Sequence, residues 1–202
     1  MKNRSHVRAT VWHLGAAVLT VALVLSVGPL AAQAQKTATP AERQEAALKD
    51  FKQRLNAYVD LRANLAKQLK PLSPTASASE LASRQESLAA ALRLARKTAK
   101  QGDLIPTSVA GQLRTIVQAD FQGRKPDARQ AAFSEVADAG TPVINQIYPA
   151  KAALPTVPPL LLAKLPMLPD NLQYRFIDRH MVTLDGDTQV IIDYVSNVLP
   201  PH

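Results

Sequence analysis

Seven prolines fall between residues 142 and 169, and no other feature of this 202-residue chain restricts its fold so tightly. Each proline removes a backbone donor and biases the residue before it away from the helix, so regular secondary structure is excluded over most of the stretch. One short helix-like run, 143–148, lies within it. Leu154, Val157, Leu160, Leu161, Leu162, Leu165, Met167 and Leu168 are too many apolar groups for a solvated linker. Residues 141–170 therefore read as a stiff arm, packed along its neighbours and delivering the chain from one kind of structure to another.

Beyond the arm, residues 171–200 carry a strand pattern. Leu172, Tyr174 and Phe176 alternate with polar residues, as a half-buried strand requires. Met181–Leu184 and Val190–Tyr194 are two further short apolar runs, separated by Asp185-Gly186-Asp187-Thr188, a turn composition. A three-stranded antiparallel β-meander follows, with Tyr174 and Phe176 facing whatever covers it. Three strands of this length are marginal alone, so the preceding residues must supply the covering layer.

Those residues, 35–140, are patterned for helices. Thr39-Pro40-Ala41-Glu42 forms an N-cap, a first-position proline and a capping box. Leu48, Phe51, Leu55, Tyr58, Arg62, Leu65 and Leu69 then recur at steps of three and four, predicting a helix over 40–70 of about 45 Å. Arg62 interrupts the stripe and is expected to lie along the seam with its head in water. Ser77-Ala78-Ser79-Glu80 is a second capping box, predicting a helix over 80–101 that folds back antiparallel and ends at Gly102. Val109, Leu113, Ile116, Val117 and Phe121 mark a third helix, and Pro126, Phe133 and Val136 a fourth before Gly140. The expected class is α+β, mainly α: a long helical hairpin with shorter helices, the arm, and the small meander.

The N-terminus bears on the compartment. Lys2, Arg4 and Arg8 precede an apolar run over 14–30, and Ala32-Gln33-Ala34 is a small-x-small cleavage site before Gln35. Residues 1–34 read as a secretory signal peptide, which contacts the membrane before cleavage; an uncleaved N-terminal anchor is the alternative. Cleavage removes three basic residues and no acidic ones, taking the formal charge from +8 to +5. Residues 35–101 hold thirteen Lys and Arg against six Asp and Glu, while 102–202 hold eight against ten. The expected location is the periplasm or the extracellular space, where lipid head groups, glycans and envelope proteins are the available anions and nucleic acid is not a partner.

Several of these residues carry a resemblance. Ile147-Tyr148-Pro149, Leu154-Pro155-Thr156-Val157-Pro158-Pro159, Leu161-Leu162, Leu165-Pro166 and Leu168-Pro169, then Tyr174-Arg175-Phe176, Leu184-Asp185 and Ile192-Asp193-Tyr194, resemble a family of uncharacterised secreted bacterial proteins. The likeness covers roughly residues 142–200 and implies no activity. Those relatives usually carry glycine in the turn after the first strand, where this chain has Asp178. The Tyr-Arg-aromatic start and the later Leu-Asp are also similar to a short hairpin module in periplasmic nickel and cobalt homeostasis proteins, a likeness that brings no metal ligands.

Residues for chemistry are scarce. There is no cysteine, and only His180 and His202 follow the signal segment. His180 reads as a surface hairpin residue, and no nucleophile, zinc, phosphate-loop or dinucleotide motif is present. Asp185, Asp187 and Asp193 raise the question of calcium, but Asp-Gly-Asp is what a tight turn uses and the other ligand positions of a calcium loop are missing. No catalytic, cofactor-binding or metal-ligating residue is assigned, and no cofactor is implied.

The sharpest charged feature is Arg93, Arg96, Lys97 and Lys100, spaced to share one side of the second helix. Cations there complement the helix dipole as a solvated face, the reading that takes precedence. They are also the candidate contact for an anionic glycan or lipid surface. The expected function is an exported, non-enzymatic protein acting through surface contacts with envelope components. Two alternatives stand beside it: a small extracytoplasmic hydrolase using paired carboxylates, or a periplasmic chaperone or adaptor exposing an apolar strip of the 40–101 hairpin.

Overall fold

The structure, a computed structural model, describes residues 38–134, 140–148 and 157–200. The expected signal peptide, Val136, Leu154 and His202 lie outside the described residues. Among the described residues five helices precede the sheet: α1 (Pro40–Gln68), α2 (Ala78–Ala95), α3 (Thr107–Gln122), α4 (Pro126–Ser134) and α5 (Pro159–Leu162). The strands are β1 (Leu172–Ile177), β2 (His180–Asp185) and β3 (Ile191–Val195), antiparallel in the order β1-β2-β3. The class is α+β, mainly α, as the patterns predict.

Both capping boxes form. The Thr39 hydroxyl accepts from the Glu42 N–H at 3.2 Å while the Glu42 carboxylate accepts from the Thr39 N–H at 2.6 Å, and Ser77 and Glu80 repeat the arrangement. These exchanges satisfy helix-end donors that would otherwise have no partner.

The core joins every layer. Phe51, Leu55 and Tyr58 of α1, Leu88 and Leu92 of α2, and Leu113, Val117 and Phe121 of α3 pack in one cluster with Leu161 and Leu165 of the arm. Leu172, Tyr174 and Phe176 of β1 belong to the same cluster, with the Phe121 and Phe176 rings edge to face at 6.4 Å. Each such side chain contributes about 1.5–3 kcal/mol on burial. Among the described residues no helix is long and apolar enough to cross a membrane.

Four expectations are corrected. The half-burial expected at Leu172, Tyr174 and Phe176 holds in β1 but does not extend to the rest of the sheet: every residue of β2 is buried, and Tyr148, Ile177, Val182, Leu184 and Ile191 form a second cluster. The run 143–148 is not helical: it turns at Asn145, φ +65°, and then lies beside the residues leading into β3, where Ile147 bridges Val190 and the Tyr148 N–H donates to the Gln189 carbonyl at 2.7 Å. Of its apolar groups only Tyr148 is buried against the sheet, in the cluster with Ile191, and the backbone bonds to residues 189–191 replace those a helix would make. Third, α2 stops at Ala95 rather than at residue 101. Beyond it, Gly102 at φ +92° turns the chain so that Leu104 and Ile105 reach β3. Fourth, the arm is packed only in part: Val157, Leu161 and Leu165 are buried, whereas Leu160, Leu162 and Met167 are exposed.

Candidate functional site

The polar groups that sequence reading treats as surface features converge instead on the junction between α1 and the sheet. Tyr58 and Arg62 lie one turn apart on α1 and so project in one direction. Both meet Asp185, which is 0% exposed: the Tyr58 hydroxyl and the Arg62 Nε each donate to its carboxylate at 2.7 Å. The second carboxylate oxygen accepts from the Thr188 N–H at 3.0 Å and hydroxyl at 2.9 Å, closing the β2–β3 turn. Arg62 also pairs with Asp187. Its head is therefore in an ion-pair network and not in water, with the side chain 14% exposed.

Charge states follow from this enclosure. Burial, then the negative charge of Asp185 and the hydrogen bond to it, push the Tyr58 hydroxyl far above its ordinary value. For Arg62 burial opposes the charge, but the pull of Asp185 and Asp187 outweighs it and the guanidinium is held more firmly protonated. Arg96 stacks over the Tyr58 ring at 5.6 Å and donates to the Ile192 carbonyl at 2.8 Å.

Asp193 occupies a separate enclosure. Its carboxylate accepts from the backbone N–H groups of Gly102 (3.0 Å), Leu104 (2.9 Å) and Ile105 (2.8 Å), tying the α2–α3 connection to β3. Burial pushes this carboxyl up, and the backbone donors pull it partly back. The three aspartates of the calcium question thus hold protein groups, and among the described residues no cluster of three or more His, Cys, Asp or Glu is placed to hold a metal ion.

The basic quartet is dispersed. Arg93, Lys97 and Lys100 are exposed, but Arg96 turns inward to β3 and Tyr58, and Lys97 and Lys100 follow the helix end. A single four-cation face requires the helix to continue, and it does not. His180, expected at the surface, is buried with its ring edge to face against Tyr194 at 5.8 Å. Burial lowers its pKa, Asp178 raises it less, and Arg179 lowers it further.

Among the described residues the two most exposed large apolar side chains, Met167 and Leu160, belong to the arm. Met167 is 92% exposed, Leu160 79% and Leu162 49%. Met167 sits in the wall shared by two grooves. One, of about 570 Å³, runs between the arm and β1 and is lined by Val157, Leu162, Leu165, Met167, Leu172 and Tyr174 with Arg175 and Gln173. The other, of about 580 Å³, lies between the same segment and the α1 residues Leu48, Phe51, Lys52 and Leu55. Sequence reading found the apolar content of the arm but not which residues stay exposed, because a proline-rich segment has no period from which to read a face. No family model, curated protein or solved structure matches the chain.

Proposed function

We propose that this chain is an exported, non-enzymatic envelope protein that works by presenting the apolar arm surface to a partner. The single observation that carries the reading is the exposure of Leu162 and Met167 in the wall of the groove beside β1, on a segment otherwise anchored in the core. Soluble proteins rarely leave such contiguous apolar groups uncovered without an interaction to use them. Asp185 is engaged by Tyr58 and Arg62 and Asp193 by the α2–α3 connection, which leaves a single carboxylate, Asp170, in the lining of the two grooves instead of a facing pair. The resemblance to secreted bacterial proteins and the signal-like N-terminus support export to the periplasm or beyond.

The partner in this reading is another envelope component with an apolar face, rather than a polyanion read by the cations around Arg93. A photo-crosslinker at position 167 should give a discrete adduct in the exporting cell, and one at exposed Leu94 should not. Identical adducts from both positions would reject the reading. For export, the mature protein should begin at Gln35 and lack tryptophan fluorescence, since Trp12 is the only tryptophan.

A further inference from the structure

The groove between α1 and the arm sets a knob beside a hole. One wall is Leu48, Phe51 and Leu55 of α1, the other is residues 166–170 of the arm, and about 580 Å³ lies between them. Met167 stands on the arm wall and is 92% exposed, so its side chain reaches into solvent at the edge of the groove. Two charges flank the apolar strip from opposite walls, Lys52 on α1 and Asp170 on the arm, and both are exposed. Among the described residues neither has an ion-pair partner. The other lining residues are uncharged, so a polyanion or a polycation laid in the groove would meet one like charge.

We infer that this groove receives Met167 from a second copy of the chain, in a two-fold dimer that pairs Lys52 of each copy with Asp170 of the other. The inference rests on the recognition role proposed for the arm and names the envelope component it meets. Knob and hole are adjacent, so a two-fold axis passing between the walls, along the direction in which the groove opens, exchanges them. The arm of one copy then covers the α1 wall of the other, and both Met167 side chains are buried at once. An unbranched thioether adapts to such an irregular apolar surface. The same rotation brings each Lys52 to the opposing Asp170, so the charges that disfavour a polyion fix the register of the two copies. Because the contact is self-complementary, it closes as a dimer and does not propagate as a filament.

Sedimentation velocity of the exported protein over a wide concentration series reads the association. Wild type should pass from monomer to dimer as concentration rises. Lys52→Asp and Asp170→Lys each turn both cross-pairs into like charges and should weaken the dimer about tenfold. Mixing the two variants should restore it, because in their heterodimer both pairs are attractive again, whereas an ion pair within one chain does not respond to mixing. Met167→Asp should leave a monomer. All three positions are exposed, so the far-ultraviolet spectrum of each variant should match wild type. A wild type that stays monomeric throughout, a charge variant that associates as wild type does, or a mixture that recovers nothing overturns the inference. If the wild type is monomeric while position 167 still gives an adduct with a different protein, the second copy is the wrong partner and the recognition role stands. A dimer in solution with no adduct in the exporting cell rejects the envelope role alone.

Discussion

At the scale of single residues, the sharpest consequence concerns Asp185. It is fully buried and is shared by a tyrosine, an arginine and its own turn, so Asp185→Asn removes the buried counter-charge of Arg62 and leaves it only the exposed Asp187. Removing one member of such a pair costs about 3–5 kcal/mol, and Tyr58→Phe, which deletes one hydrogen bond, about 1 kcal/mol. Urea unfolding midpoints should rank the two variants in that order. His180 gives a pH prediction. Its folded pKa lies below the ordinary value of about 6.5, so the stability contributed by the neutral ring is complete above that value and is lost as pH falls through the lower one. His180→Phe should remove this part of the acid loss, measured as the difference in unfolding free energy between wild type and variant from pH 7 downward. Neither residue's role is legible in the chain: Arg62 looks like a break in a stripe because its partners lie 123 and 125 positions away. His180 looks exposed because the second apolar face of the sheet depends on a segment that reads as helix.

At the scale of elements, local signals succeeded where the cause is local. Capping boxes place the starts of α1 and α2 because the bonds involved span three residues. The end of α2 falls short of its apolar spacing, which continues through Ala99, and the connection that follows is held by Asp193, about ninety residues on. Asp193→Asn should detach that connection, lowering stability by about 3 kcal/mol and removing hydrogen-exchange protection from the Leu104 and Ile105 amides first. The β1–β2 turn holds Asp178 at φ +47°, a left-handed conformation that glycine adopts without strain. Asp178→Gly should therefore stabilise by about 0.5 kcal/mol after the entropy lost by glycine is counted. A small rise in melting temperature with unchanged secondary structure is the expected reading.

At the scale of the molecule, helices, arm and sheet contribute to one cluster, and residues 38–202 form one compact unit. Far-ultraviolet signals from the helices and near-ultraviolet signals from Tyr174, at the sheet, should therefore melt together. A chain cut after Gly140 should lose helix, because Phe121 and Leu113 lose Phe176, Leu161 and Leu165 as neighbours. A helical fragment as stable as the intact protein would show two independent bodies instead. The α+β class and the strand order were readable because each rests on short-range spacing; the joints between layers were not, because each rests on a pairing across most of the chain. The link from Arg62 to Asp185 also has a temporal side. The first helix to leave a ribosome or a translocation pore must wait for the last hairpin before its buried cation finds a partner, so maturation is gated by completion of the chain. Nascent or truncated products lacking that hairpin present an unneutralised α1 and are the forms a quality-control protease should meet first.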